Sequence, residues 1–392
     1  LHSRIRSYAR PEDHPTMRVA FVASEAVPFA KTGGLADVAG SLPQAIERLG
    51  HTASLFIPAY RRAWGAGQSI EPTGLTLRIP IGHKIVEGRV LESRLPNSNV
   101  RVFLIEQAEY FDRDGLYGTP GVDYPDNSER FIYFDRAVLE AIRIFNLDPD
   151  VIHCNDWQTG LIPVYLQTMF RPLTGLHRSG SLFTVHNLAY QGLFEHDVMG
   201  LTGLQPGLFN WQDLEFYGRV SFMKAGLVFA NMLSTVSPTY AREIQTEKFG
   251  CGLDGLLRRR NGDLRGIVNG IDPHVWAPRH EPMLVEPYDA STVRIGKPAC
   301  KAWLQAHAGL PIRPDVPIFA QIGRLDAQKG WELLAQVSDR LLERDVQLVV
   351  LGTGHPHYHE LLTSLVGRYP EKVWAHLGFS EELAHQIEAG AD

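Results

Sequence analysis

Apolar positions along the chain fall into short blocks of two kinds. In "RVAFVA" (residues 18–23) they follow one another without a break, as in a strand covered on both faces. Beyond the loop "SEAVPFAKTGG", Leu35, Val38, Ala39, Leu42, Ile46 and Leu49 recur at spacings of three and four. That spacing predicts an amphipathic helix ended by Gly50. "ASLFIPA" (residues 53–59) reads as the next strand. Similar runs return at "VIHC", "SLFTVHN", "MLSTVSP" and "LRGIVNG". Strands alternating with helices throughout predict a parallel α/β sheet.

The Pro- and charge-rich patch "APRHEPMLVEPYD" (residues 277–289) breaks this rhythm, and a second set of units follows. "VPIFAQIGR", "VQLVVLGTG" and "KVWAHLGF" read as strands. "QKGWELLAQVSDRLLE" and "SEELAHQIEAG" read as helices, the latter capped by Ser380 and ended by Gly390. The predicted organisation is a loose polar tail over residues 1–16 and two Rossmann-like doubly wound domains, over 17–280 and 281–392. The second offers three strong strands where such a domain usually has about five or six, so it is expected to be incomplete.

Composition narrows the function. With 392 residues and 44% apolar content, the chain can bury two cores. A net charge of −6 argues against a nucleic-acid partner held by a basic surface. Three cysteines at neither metal nor disulfide spacing suit a reducing interior. No apolar run reaches the roughly 18–20 residues of a membrane span, and the tail lacks a secretory apolar core. A soluble cytoplasmic protein is expected.

In open α/β sheets ligands bind beyond the carboxyl ends of strands, so residues just after each strand carry the candidate chemistry. Gly33 and Gly34 allow a sharp turn at a helix start, whose free N–H groups suit an anion, and Lys31 adds a charge there. A plain turn with an exposed lysine is the alternative. Arg324 and Lys329 share "GRLDAQKG" at a second helix start, where two cations are poorly placed without an anion. His186 and Asn187, in "TVHNLAYQG", can bond sugar hydroxyls or phosphate, or simply finish a strand. Asp156 in "HCNDWQTG" is either an N-cap or a carboxylate for a polyol, with Trp157 as a stacking wall. Asn269, in "GIVNGID", reads first as a turn. "DPD" (residues 148–150) precedes its strand and lies at the wrong edge. "HPHYH" (residues 355–359) lacks the partners of a metal site and reads as an exposed loop. "RRR" (residues 258–260) suits a helix C-terminus.

Together, "KTGGLADV", "HCNDWQTG", "FTVHNLAYQG", "SFMKAGL", "TVSPTYAREI", "VNGID" and "IGRLDAQKG" stand in the order seen in bacterial glycogen synthases and plant starch synthases. From about Met17 onward the chain resembles this family of retaining glucosyltransferases that use ADP-glucose. The resemblance implies a GT-B architecture, two Rossmann-like domains facing a cleft, with an α-glucan acceptor and neither cofactor nor metal. It implies a catalytic set of His186, Asp156, Arg324 and Lys329. Lys31, Gly33 and Gly34 would meet the nucleotide diphosphate, and Asp37 would order their loop. Arg324 and Lys329 would clamp the same diphosphate. His186 would bond the donor glucose, with its carbonyl near the anomeric carbon, and Asn187 follows it. Asp156 and Asn269 would contact the transferred sugar or the acceptor, and Tyr124, in "PGVDYPDN", the adenine or ribose.

Two departures stand out. Gln158 occupies a place where many relatives carry histidine. The family's later "Glu-Pro-Cys-Gly-Leu" string and second Gly-Gly-Leu loop do not occur before Asp392. The chain is therefore expected to be a fragment short by on the order of a hundred residues, with weak or no activity. A non-catalytic glucan- or nucleotide-binding derivative of the family is the alternative. A Rossmann dehydrogenase is opposed by the missing six-position glycine fingerprint. Oligomeric state is not legible.

Overall fold

The computed structural model describes residues 15–119, 122–173, 176–279 and 282–392; all but the last two residues of the predicted tail lie outside them. The backbone divides into two units, one up to Gly270 and one from Ile271. In the first, the predicted buried runs become neighbours in one sheet. In chain order its strands are β1 (Arg18–Val22), β2 (Thr52–Pro58), β3 (Glu71–Ile81), β4 (Lys84–Arg94) and β5 (Arg101–Glu106). Then come β6 (Val151–Asn155), β7 (Gly180–Val185), β8 (Met232–Thr235) and β9 (Leu264–Gly266). Their spatial order is β9-β8-β7-β6-β1-β2-β5-β4-β3, parallel from β9 through β5.

The antiparallel edge departs from the expectation of parallel units throughout. β3 and β4 form a hairpin in which Leu77, Ile79 and Ile81 are buried while Arg78 and Pro80 face outward. One face is covered and the other wet, the usual condition of an antiparallel pair. Gly82, at φ 57°, turns the chain between them.

From β1 the chain moves outward through β2 to β5, then returns to β6 on the other side of β1. That reversal is a topological switch point, and it opens a crevice beyond the carboxyl ends of β1 and β6. Two helices carry these crossings. α1 (Gly34–Arg48) follows β1, burying Leu35, Ala36, Ala39, Gly40 and Pro43 against the sheet. At Gly40 a Cβ would stand 2.7 Å from the Val27 carbonyl oxygen, so glycine lets α1 lie on the loop that precedes it. α2 (Asn127–Ile144) leads from β5 to β6 and is buried on nearly every side.

α3 (Phe222–Phe229) contains the "FMKAGL" of the family string. Ser221 caps its start by accepting from the Lys224 N–H, and the Lys224 ammonium donates to the carbonyls of Trp211 and Glu215. Arg260 donates to the carbonyls of Leu227, Val228 and Ala230. The third arginine of "RRR" thus closes α3, while Arg258 and Arg259 sit in the last turn of their own helix.

The second unit has three parallel strands, β10 (Ile318–Ile322), β11 (Gln347–Leu351) and β12 (Val373–His376), in that spatial order. Four helices accompany them: α4 (Val293–His307), α5 (Trp331–Leu342), α6 (Pro356–Arg368) and α7 (Glu381–Gly390). Alternate residues of β11 enter opposite cores, Leu348 and Val350 with Trp331 and Leu362, Val349 and Leu351 with Leu304 and Ile387. Ser380 accepts from the Leu383 N–H and so caps α7. "HPHYH" is not a loop: His355 caps α6, whose first residue is Pro356. Among the described residues no helix is long and apolar enough to cross a membrane.

Candidate active site

The loop leaving β1 is pinned from inside. Glu25, 5% exposed, accepts hydrogen bonds from the Thr32 N–H, from Thr32 Oγ1 at 3.0 Å and from the Gly33 N–H at 3.2 Å. The Tyr117 hydroxyl, 3.1 Å away, donates a further one and also meets Ser24 Oγ at 2.7 Å. Burial pushes the Glu25 carboxyl above the usual carboxylate range, more than these bonds pull it down. Lys31 Nζ lies 3.0 Å from Asp37 in the first turn of α1, a pair exposed enough to contribute little to stability. At Gly33 and Gly34 an added Cβ would meet nothing within 4 Å, so the start of α1 is uncovered.

The turn after β6 is tied to the turn after β7. Asp156 takes φ 56°, and its N–H donates to the Thr184 carbonyl at 3.0 Å. Its carboxylate accepts from the backbone N–H groups of His186, at 2.7 Å, and of Asn187. It is therefore not a helix cap but a brace between two strand ends. Withdrawal from water pushes its carboxyl up to about 7, against the pull of those two bonds.

Asn155, fully buried, donates from Nδ2 to the carbonyls of Val22 and His153. Its Oδ1 is left as an acceptor, 3.0 Å from His186 Nε2. The imidazole is thus fixed with its proton on Nε2 and an accepting lone pair on Nδ1. Burial pulls the His186 pKa down to about 4, so the ring is neutral near pH 7. Beneath it, His153 Nε2, Thr184 Oγ1 and Ser234 Oγ form a line of two 2.6 Å contacts across β6, β7 and β8. Burial and the His186 ring nearby hold His153 down to about 3.

The turns after β1, β6 and β7 thus bring Lys31, Gly33, Gly34, Asp37, Asp156, His186 and Asn187 to one end of one sheet. Tyr124 is linked to that end through Tyr117: its N–H donates to the Tyr117 carbonyl, and its ring lies under the guanidiniums of Arg113 and Arg130. Asn269 stands apart, exposed beyond β9 at the outer end of the parallel run. Arg324 and Lys329 are exposed in the turn between β10 and α5 of the second unit.

Trp157 is not a stacking wall. It is 9% exposed, with the rings of Phe131 and Phe194 at 5.0 and 5.7 Å and Gly192 pressed against its face. Gln158 is 7% exposed, and its Oε1 has no hydrogen-bond partner among the described residues. Glu25, Tyr117 and Asn155 went unnoticed in the sequence. The available signal was one acid inside the otherwise apolar "ASEAVPFA".

A switch-point crevice with a neutral histidine on a braced strand end and an open helix start has the equipment to hold a polar, anionic ligand. With a second Rossmann-like unit bearing its own cationic turn, it defines a glycosyltransferase of GT-B type. The starch synthase catalytic domain model matches residues 18–259. Over 96% of its length the chain is 43% identical to a glycogen synthase of Syntrophotalea carbinolica and 46% identical to one of Myxococcus xanthus. It spans 77% and 78% of those two proteins. The catalytic domain of starch synthase IV from Arabidopsis thaliana, solved with ADP and acarbose, matches with a TM-score of 0.88 at 30% identity, over 96% of this chain and 77% of that one. The chain belongs to the glycogen and starch synthase family.

Proposed function

We infer that the protein lengthens α-1,4-glucans, moving glucose from ADP-glucose to the non-reducing end of the acceptor with retention of configuration. The observation that carries this reading, beside the family, is the neutral His186 held by Asn155 next to backbone N–H groups braced by Asp156. His186 bonds the donor glucose, and Asn187 and Asp156 keep that strand end in register. Lys31, with Gly33, Gly34 and the start of α1, receives the diphosphate, and Asp37 orders the lysine. Tyr124 faces the nucleoside, and Asn269 the sugar or acceptor.

Cleavage of the glycosyl–phosphate bond puts negative charge on the leaving diphosphate and positive character on the sugar. Arg324 and Lys329 stabilise the former, because cations fixed beforehand need no reorganisation during the reaction. Retention has two general routes, double displacement and same-face attack. Action in the cytoplasm is part of the proposal, in keeping with three free thiols.

The test is transfer of labelled glucose from ADP-glucose to maltoheptaose by the full-length protein and by its His186→Ala variant, with UDP-glucose as competing donor. A loss of roughly 10²-fold or more is expected in the variant. An undiminished rate would remove His186 from the site, and preference for UDP-glucose would overturn the donor.

A further inference from the structure

Beyond His186 and Asn187 the chain runs into a small three-stranded sheet. Leu193–Phe194 pairs with Arg219–Ser221, which pairs in turn with Glu215–Phe216. Two aromatic rings in the turns that adjoin this sheet stand in water, Tyr217 at 81% exposure and Trp211 at 68%. Isolated exposed rings are ordinary, but here the backbone of Trp211 and the ring of Tyr217 are each anchored. The Lys224 ammonium donates to the Trp211 carbonyl at 2.6 Å and to the Glu215 carbonyl at 2.5 Å, so the two backbones lie side by side. Tyr217 and Gly218 form the hairpin tip, with φ of 50° and 81°. Asn or Gly would suit the first position better, and a tyrosine there costs roughly 1–2 kcal/mol of backbone strain.

The Tyr217 ring meets Phe216 edge-on at 4.7 Å. Gly252, at φ 80°, packs beneath both: a Cβ there would stand 2.9 Å from Phe216 and 3.4 Å from Tyr217. The adjoining Cys251 carbonyl accepts from Gln191 Nε2 at 2.8 Å. Gln191 lies on the segment that leaves His186, so this aromatic corner is fastened to the loop of the candidate active site.

Exposed aromatic residues anchored beside a candidate ligand site point to a binding surface. Trp and Tyr offer large contact area at low entropic cost, with one end apolar and the other wet. Arg219 is paired with Glu195 at 3.3 Å, Asp213 and Glu215 flank the rings, and the chain carries −6 overall, which disfavours a polyanion. An uncharged polyol whose rings present C–H faces to an aromatic and hydroxyls to water fits both conditions. We propose that Trp211 and Tyr217 form a platform for an α-glucan chain, separate from the strand-end groups that meet the donor. This rests on the glucan-elongating reading above, and it adds where the polymer is held.

The test is migration of the full chain through native gels with and without glycogen, beside Trp211→Ala/Tyr217→Asn. Asparagine removes the ring yet suits the left-handed turn, so the variant should melt where the parent does. The parent is expected to be retarded by glycogen, and the variant to show an apparent Kd raised about five- to tenfold. Equal retardation of the two, or no retardation of either, would overturn the platform. The underlying reading is tested separately, by transfer of glucose onto maltotriose by the full-length protein, which needs no polymer. Transfer without differential retardation refutes the platform alone, and absent transfer refutes the reading beneath it.

Discussion

After β1 the chain reaches Lys31 and Gly33 through a loop anchored from beneath by a buried acid. After β10 it reaches Arg324 and Lys329 through a turn held by its backbone. In the first, Glu25 collects the Thr32 and Gly33 N–H groups, and the lysine is engaged by Asp37. In the second, Trp331 Nε1 donates to the Arg324 carbonyl, Gln321 donates to the Lys329 carbonyl, and Asp326 accepts from the Gln328 N–H. Among the described residues no carboxylate pairs with the Arg324 or Lys329 side chain. The first turn is built for shape and the second for available charge. Similar sequence features, a cation and glycines at a helix start, thus serve different physical ends.

The comparison breaks most visibly at Arg324. Arg324→Ala should lower kcat by roughly 10²–10³-fold with little change in melting temperature, because the side chain is exposed and bonded to no carboxylate. A matching fall in stability would show that the second turn is structural after all.

Glu25→Ala should give the opposite signature. Removing a buried acceptor strands several donors, which costs about 2–4 kcal/mol in urea unfolding, and it raises KM for ADP-glucose as the loop loosens. Unchanged stability would mean the loop is not held from beneath.

The strand ends predict a pH profile whose sign can be worked out. His186 and His153 are neutral in the folded chain down to about 4 and about 3, while the unfolded chain takes up their protons near pH 6.5. Their stabilisation is complete above pH 6.5 and is lost as pH falls toward those values, by up to a few kcal/mol. Asp156 acts in the other direction. Its proton, retained up to about 7, favours the folded chain at low pH, and that contribution fades as pH rises from about 4 to 7. Denaturant melts from pH 4 to 8 on His153→Gln and Asp156→Asn should flatten the respective limbs; parallel curves would refute the assignments.

Lys31→Ala should also change stability little, by under about 0.5 kcal/mol, since its ion pair with Asp37 is partly exposed. Its KM for ADP-glucose should nonetheless rise several-fold. A stability loss as large as that of Glu25→Ala would erase the distinction between anchor and charge.

Residues that follow a strand directly were legible in sequence, because buried runs announce where a sheet ends. Asp156, His186 and Asn187 gather at one end for that reason, but the brace between them needed coordinates. It joins residues about thirty apart, and an aspartate before a helix reads first as a cap. Glu25 and Asn155 act through partners on other elements, so no local pattern marks them. Trp157 misled in the same way, since Phe131 and Phe194, which bury it, are distant in the chain. The β3–β4 hairpin left its period-two signal in plain view, masked by the parallel rhythm around it.

One measurement is the most direct: incubation with ADP-glucose and maltoheptaose, followed by proton NMR of the product, for the full-length protein as parent and for its His186→Ala variant. New α-1,4 linkages are expected from the parent, and roughly a hundredfold fewer from a variant that still unfolds cooperatively, though at a lower temperature because Asn155 Oδ1 loses its donor. A folded parent that builds no α-1,4 linkage, or a variant that builds them at the parent's rate, would contradict that expectation.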